Sequence, residues 1–231
     1  TLLKHFEVNS FKGFGIDRMP VAVIAAGVAL HYLNETEHRN LQHISNISRI
    51  EEDRYMWLDR FTIRNLELIG SANENATTLS DVLDETASPM GARLLKRWII
   101  MPLKEKKAIH ERLNVVEYFY KNKEIREDLI REIKQVGDLE RLISKIGLQK
   151  ANPREINQLK RSLFAIEKLK TLTDVAASES LQVISEQLNP CVLIRDKIDF
   201  TIQAEAPVAL NKGNVIADGV DEEMDKLRKV A

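Results

Sequence analysis

The sequence predicts a mainly α-helical bundle with one or two short strands in its N-terminal third. Apolar residues recur at helical spacing through most of the segment from residue 88 to residue 188. The 9 glycines and 6 prolines are few for 231 residues, and they lie mostly between the periodic segments. Hydrophobic residues make up 44% of the chain and charged residues 30%, a balance typical of a globular protein with a buried core.

The first 36 residues are predicted to hold two helices. Residues 1–6 form a short helix, and a glycine-containing turn follows at residues 12–15. Pro20 begins a longer helix that runs to about Asn34. Its stretch Ala25-Ala26-Gly27 has little side-chain bulk, so this helix is expected to pack closely against a neighbour.

Residues 41–69 have the weakest helical signal. The isoleucines Ile44, Ile47 and Ile50 are interleaved with polar residues, and residues 55–58 form a short apolar run rich in β-forming side chains. We therefore predict one or two short strands here, with a turn at residues 51–53. A polar loop at residues 73–78 follows.

Several helix starts are marked by their local chemistry. Thr78 and Asp81 have the spacing of a capping box, with Asp where Glu or Gln is preferred. Ser88-Pro89 and Asn152-Pro153 each combine a capping side chain with a proline at the first helical position. Asp221 begins the last predicted helix.

Apolar stripes predict which faces of these helices are buried. Each stripe is wide enough to require a partner helix, and the tryptophans Trp57 and Trp98 are expected in the core. The stripes are Leu94, Leu95, Trp98 and Ile99; Ile109, Leu113, Val116 and Tyr120; Ile125, Leu129, Ile133 and Val136; Leu139, Leu142, Ile143 and Ile146; Ile156, Leu159, Leu163, Ile166 and Leu169; and Leu181, Ile184 and Leu188.

The motifs of common enzyme classes are absent from the sequence. It contains no phosphate-binding P-loop, and Gly13-Phe14-Gly15 lacks the third glycine and the setting of a dinucleotide site. The 5 histidines show no H-E-x-x-H spacing, and a single cysteine cannot supply a Cys/His zinc quartet. The sequence therefore predicts no catalytic residue, no cofactor-binding residue and no metal ligand. Cys191 is expected to be a buried, inert thiol.

Charge and hydropathy limit the partners. The formal net charge is -1, so any contact with DNA must be local. Arg93, Lys96 and Arg97 share one side of a helix and are candidates for weak contact with the DNA backbone, although a solvated face or an internal ion pair is the favoured interpretation. The longest apolar stretch is too short and too broken to span a membrane. The lone cysteine favours a reducing cytoplasm.

Several stretches in order along the chain resemble one family. Residues 8–16, 25–27 and 32–36 look like the end of the connector domain of MutS-type DNA mismatch repair proteins, and later stretches resemble the core domain. The matching core positions are Asp59, Thr62, Asn65, Leu66, Glu67, Leu68, Met90, Gly91, Arg93, Pro102, Leu103, Asp138, Glu140, Arg141, Pro153 and Arg154.

The resemblance implies a noncatalytic fragment. Residues 1–36 would be the end of the connector domain with a linker helix, and residues 37–231 the first part of the core or lever domain, truncated at the start of the clamp. The full-length protein would recognise mismatched double-stranded DNA as a homodimer and couple this to hydrolysis of ATP with Mg²⁺. This piece would link the clamp to the ATPase domain in the bacterial cytoplasm, near the nucleoid. An autonomous DNA-binding helical module is the alternative.

Overall fold

The computed structural model describes residues 2–36, 41–49, 54–73, 75–176 and 178–230, and within these ranges the chain is mainly α-helical, as predicted. Strand-like pairing in the described ranges is limited to two isolated β-bridges. The helices are α1 (Leu2–His5), α2 (Pro20–Glu35), α3 (Arg60–Asn65), α4 (Leu79–Leu83), α5 (Pro89–Ile100), α6 (Lys106–Lys121), α7 (Lys123–Ile133), α8 (Leu139–Gly147), α9 (Pro153–Asp174), α10 (Glu179–Gln187), α11 (Val192–Thr201) and α12 (Glu222–Val230).

The chain divides into two compact units. The first joins Thr1–Glu52 to Arg141–Ala151, and the second joins Asp53–Glu140 to Asn152–Ala231. Each unit combines segments that are distant in sequence, and each has its own cluster of buried apolar residues. Such a division cannot be read from the sequence as a single cut between two neighbouring segments.

In the first unit, α1 and α2 pack together around Leu2, Leu30 and Leu41. A side chain added at Gly27 would lie 3.7 Å from Leu2 Cδ1. The small-residue stretch of α2 therefore contacts a neighbour at Gly27, as predicted, although Ala25 points to the exposed side of the helix.

In the second unit, α9 is the central element and packs against α7, α10 and α11. Its Ala165 and Leu169 form a core cluster with Leu129 of α7 and Val136 of the segment that follows. Apolar residues from other helices complete this core, namely Met90, Phe119, Ile125, Ile133, Leu139, Ile166, Leu172 and Leu188. The predicted stripes of α7 and α9 are thus paired with each other.

The predicted helix starts are confirmed. Thr78 and Asn152 each form a capping box, with Asp81 and Glu155 three residues on. Ser88 Oγ accepts the Gly91 N–H at 3.1 Å, which caps α5. At α12, the Asp221 carboxylate accepts the backbone N–H groups of the first turn. These side chains satisfy donors that the first helical turn leaves unpaired.

The predicted strands are wrong for the described residues. Residues 44–49 are irregular, Tyr55 forms only an isolated bridge with Leu103, and residues 60–65 are helical. Met56 N donates to Pro102 O at 2.8 Å, but Pro102 has no N–H to return, so the ladder is interrupted at this pair. The predicted turn at residues 51–53 lies outside the described residues.

Two further features differ from the predictions. Helix α11 was not predicted, because its apolar residues are consecutive and Cys191 before it offers no capping side chain. Cys191 itself is only partly buried, and its φ of 44° places it in the left-handed region. Over the described ranges, no helix combines the length and apolar character needed to cross a membrane.

Candidate functional site

The first group of motif residues shapes the ends of α3. Asp59 Oδ1 accepts the Thr62 N–H at 2.8 Å, and Asp59 Oδ2 accepts the Thr62 hydroxyl at 3.1 Å, so this pair begins the helix. The hydrogen bond from the Thr62 backbone holds the pKa of Asp59 below its usual range. Asn65 is the last residue of α3, and Leu66 follows it with a largely exposed side chain. These residues act as a helix start and end.

Glu67 and Leu68 connect the end of α3 to the start of α4. Glu67 has a φ of 51°, and its carbonyl accepts the Leu79 N–H at 2.9 Å. The Leu68 carbonyl accepts the Ser80 N–H, also at 2.9 Å. The Glu67 carboxylate accepts the Ser71 hydroxyl at 2.5 Å, which holds the intervening turn. These contacts connect the end of α3 to the start of α4.

The motif residues of α5 and its end contact the core, the helix cap and a bridge. Met90 packs against the core cluster of the second unit. A side chain added at Gly91 would lie 3.2 Å from Ser88 Oγ and so crowd the helix cap. Pro102 and Leu103 follow α5 and carry the bridge to Tyr55.

Arg93 binds two carboxylates that lie on either side of Leu139. Its Nη1 and Nη2 donate to the two oxygens of Asp138 at 2.9 and 2.7 Å, and its Nε donates to Glu140 Oε2 at 2.8 Å. Hydrogen bonds from the guanidinium to Asp138 and then Glu140 raise the pKa of Arg93. This is the internal ion pair that the sequence favoured for Arg93. The next motif residue, Arg141, belongs to the other unit.

Lys96 and Arg97 lie exposed on α5. In the described part of the chain neither has an ion-pair partner. Hydrogen bonds from Thr78 lower the pKa of Asp81, and hydrogen bonds from Thr86 lower the pKa of Asp84. The charge of Lys96 makes a smaller contribution to both shifts. Contact between DNA and Arg93, Lys96 or Arg97 stays a prediction.

Pro153 and Arg154 lie at the start of α9. Pro153 is buried in the first turn, after the Asn152 cap. Arg154 Nε donates to the Ala206 carbonyl at 3.3 Å, and Asn157 Nδ2 donates to the Gln203 carbonyl at 2.7 Å. These bonds tie the first turns of α9 to the segment after α11.

The outer face of α6 is the largest departure from the predicted burial. Its stripe has the predicted spacing, yet Leu113 is 53% exposed, Val116 63% and Tyr120 81%. Trp57 at 73% and Trp98 at 40% are also exposed, so the prediction that they lie in the core is wrong.

In the first unit, α2 also has an exposed apolar face, formed by Val21, Ile24, Val28 and Tyr32. Apolar faces of this extent mark surfaces that bind other protein elements.

A groove of about 840 Å³ adjoins the α6 face within the second unit. Its floor includes Trp98 of α5, and its apolar walls come from α6, α10 and Leu103. The Arg112 guanidinium lies 3.6 Å from the centre of the Trp98 ring, a cation–π contact. Sequence reasoning assigned no role to Arg112, because only the packing of α5 and α6 brings it to Trp98.

The described side chains contain no cluster of three or more His, Cys, Asp or Glu arranged to hold a metal ion. The groove is lined largely by apolar side chains together with scattered charged ones, without a nucleophile and base in contact. Such a lining is suited to bind an apolar partner, and the charged side chains can set the orientation of that partner. We therefore treat the groove as the candidate functional site.

Comparison with known proteins places most of the chain in one family. The family model for MutS domain III matches residues 61–230. Curated relatives described as "DNA mismatch repair protein MutS" include those of Bacteroides fragilis, 51% identical over 230 residues, Flavobacterium johnsoniae, 53% over 231 residues, and Cytophaga hutchinsonii, 48% over 230 residues. In each case the match covers 100% of this chain and 27% of the relative, so the chain spans about a quarter of the length of these relatives.

Proposed function

We propose that the chain, which belongs to the MutS domain III family, is a noncatalytic part of a DNA mismatch repair protein and acts as a mechanical link between other domains. The observation that carries this proposal is the match to domain III over residues 61–230, on a body of packed helices. In the whole protein this part links a DNA clamp to an ATPase domain, so that recognition of mismatched DNA changes ATP hydrolysis.

The packing of α9 supports a mechanical role. Coupling between distant sites requires stiff elements with discrete packing arrangements. Helix α9 has 22 residues, which corresponds to about 33 Å. A capping box and a proline begin it, and buried contacts with α7, α10 and α11 hold it along its length. It is the element of the second unit best suited to act as a rod.

The remaining assignments follow from the same proposal. Residues 1–36 are the end of the connector domain with its linker helix, and residues 37–231 are the first part of the core. ATP and Mg²⁺ are bound by the whole protein. Its partners are mismatched double-stranded DNA, its own clamp and ATPase domains and a second copy of itself, in the cytoplasm of a bacterium.

A chimera tests the proposal. The 231 residues would replace the aligned segment of the MutS protein of Flavobacterium johnsoniae, with which they are 53% identical. We expect the chimera to hydrolyse ATP faster with mismatched than with matched duplex. Leu163→Pro should abolish this difference because it breaks α9, and Leu163→Ala should reduce it because it loosens the packing of α9. Leu113→Ala is the control for Leu163→Ala, because it makes the same change at an exposed position of α6.

Three outcomes would count against a noncatalytic link. The first is a mismatch response that survives Leu163→Pro while the fold of the chimera is intact by circular dichroism. The second is ATP hydrolysis by the 231 residues alone. The third is tight, mismatch-dependent binding of DNA by the 231 residues in a gel shift at two salt concentrations, which would favour the autonomous DNA-binding module. Lys96→Gln with Arg97→Gln would then locate the contact.

A further inference from the structure

Helix α12 is held by polar contacts at its start, and it has little apolar packing within the described part of the chain. All three apolar side chains of this helix are exposed, namely Met224, Leu227 and Val230. Among the described residues, no helix packs against α12 as extensively as α7, α10 and α11 pack against α9. The direction of α12 therefore depends on the residues that connect it to the rest of the second unit.

Gly219 has the properties of a hinge just before α12. Its φ of 84° lies in the left-handed region, and a side chain added there would meet nothing within 4 Å beyond its neighbours in the chain. A glycine in open space changes its backbone angles at low cost, because it has no Cβ to clash with the backbone. If no other contact bridged this position, α12 would be free to rotate about Gly219.

Arg228 of α12 forms contacts that bridge this glycine. Its Nη1 donates to Asp218 Oδ1 at 2.6 Å, and its Nη2 donates to the Ile216 carbonyl at 2.7 Å. In the other direction, the Gly219 N–H donates to Asp225 Oδ2 of α12 at 2.7 Å. The Arg228 side chain is only 28% exposed, and a planar guanidinium that binds two acceptors restricts direction as well as distance. The contacts of Arg228 with Asp218 and Ile216 are called the Arg228 anchor below.

The segment that Arg228 binds is joined in turn to α9. Ile216 forms an isolated antiparallel bridge with Ile202, closed by two backbone hydrogen bonds of 2.9 Å. Gln203, the next residue along the chain, accepts a hydrogen bond at its carbonyl from Asn157 Nδ2 of α9 at 2.7 Å, and Asn157 is buried. Hydrogen bonds and short backbone links therefore connect α12 to α9 without a gap, and Arg228 makes the first of them.

We propose that Arg228 is a positioning residue, which fixes α12 across the Gly219 hinge so that a displacement of α12 is transmitted to α9. Without the Arg228 anchor, rotation at Gly219 would absorb the displacement. The inference rests on the proposed function, because it names the residue that makes the mechanical link rigid between α12 and α9. Such rigidity is required because coupling between distant sites needs elements with discrete arrangements.

Hydrogen exchange in the chimera measures the Arg228 anchor without reference to activity. Arg228→Gln should speed exchange of the backbone amides of residues 219–225 by about fivefold or more, because the bonds that limit opening at Gly219 are lost. Lys226→Gln is the matched control, since it removes a positive charge from an exposed position of the same helix. Amides of α9 should keep their protection in both variants. Equal effects of the two substitutions, or no effect of Arg228→Gln, would overturn the proposal.

A double-substitution cycle tests whether Asp218 and Arg228 act together. Asp218→Ser removes one acceptor of the Arg228 anchor and should also speed exchange of residues 219–225. In the Arg228→Gln chimera the same substitution should have little further effect, because the effects of residues in direct contact are not additive. Fully additive effects would show that Asp218 acts independently of Arg228, and would overturn the anchor as the structure defines it.

The positioning role is tested by the ratio of ATP hydrolysis rates with mismatched and with matched duplex. In the chimera, Arg228→Gln should lower this ratio by about twofold or more, and Lys226→Gln should leave it unchanged. Arg228→Lys should lower it less, because lysine keeps the charge but cannot direct two fixed donors to both acceptors. General unfolding would lower both rates together, so the ratio separates positioning from stability.

The two measurements distinguish the possible failures. Faster exchange of residues 219–225 in the Arg228→Gln chimera with an unchanged ratio would overturn the positioning role and leave the proposed function intact. If the unsubstituted chimera itself shows no mismatch response, the proposed function fails, and hydrogen exchange still decides whether Arg228 fixes α12.

Discussion

Helices α6 and α9 belong to the same unit and have equally clear apolar stripes, yet the structure treats them differently. On α9, Leu163 is 6% exposed and Leu169 is buried against α7. On α6, Leu113 and its stripe neighbours are open to solvent. Helix α9 begins with a side-chain capping box, whereas α6 begins at Glu105 without a capping hydrogen bond. Periodicity therefore identifies a face that prefers burial, but does not say which partner buries it.

The two helices are expected to differ most in how far the free energy of unfolding falls when an apolar side chain is shortened. Leu163→Ala should lower the free energy of unfolding by roughly 2–5 kcal/mol, because it leaves a cavity in a packed interior. Leu113→Ala should change it by no more than about 1 kcal/mol, because half of that side chain already contacts water. Urea denaturation followed by circular dichroism measures both. Equal losses would show that the α6 face is covered in the isolated chain.

A second difference concerns buried hydroxyls. Ser162 of α9 is fully buried, and its Oγ accepts the Gly137 N–H at 2.9 Å while donating to the Gln158 carbonyl at 2.8 Å. Ser162→Ala should lower the free energy of unfolding by about 1–3 kcal/mol, because it leaves the Gly137 donor unpaired. Thr171→Ala, which removes an exposed hydroxyl of the same helix, is the control. Identical urea midpoints for the two variants would contradict this account.

The two helix starts should respond in opposite directions. Asn152→Ala removes the side-chain cap of α9 and should lower the free energy of unfolding by about 1 kcal/mol. Glu105 precedes α6 with φ -75° and ψ 118°, an extended conformation suited to a cap. Glu105→Ser should therefore raise the free energy of unfolding, by less than about 1 kcal/mol. Thermal melts of both variants check the signs, and a destabilising Glu105→Ser would show that the start of α6 is held in another way.

The smallest effect is expected at the exposed pair of Glu117 and Lys121 on α6. A hydrogen bond from Lys121 lowers the pKa of Glu117 in the folded protein. Its contribution to stability is therefore present above the unfolded value of about 4.3, and is lost as the pH falls through the lower folded value. Glu117→Gln should lower the urea midpoint slightly at pH 7. The difference should vanish in acid and in about 1 M salt, and a difference that persists in both would contradict an exposed ion pair.

The helix starts were predictable because each depends on a few adjacent residues. Asn152 with Glu155 and Thr78 with Asp81 are recognisable from spacing alone, and both capping boxes are present. Helix α11 lacks such a signal. Helix α3 follows the apolar run at residues 55–58 that was predicted as a strand, and it was not predicted although Asp59 caps it. Errors thus fall where the local signal is weak or where pairing depends on a distant segment, as for Tyr55 and Leu103.

The candidate site was less predictable than the helices. The motif residues were identified in order, but their roles as caps, turns and the Arg93 ion pairs depend on contacts made by folding. The groove was not predicted, because Trp98, Arg112 and Val183 lie on three helices that only the tertiary structure brings together. Trp98 was expected in the core because the apolar stripe of a helix is normally buried against a partner helix.

From the sequence alone, the helical class, most helix starts, the apolar stripes and the resemblance to MutS proteins were determined. These features depend on local hydrogen bonding and on residue spacing, which are properties of short segments. The tertiary structure decided which stripes are covered, that Arg93 pairs with Asp138 and Glu140, and that the Arg112 guanidinium lies over the Trp98 ring. Burial and ion pairing depend on the position of residues far apart in the chain, and that information arises only when the helices pack.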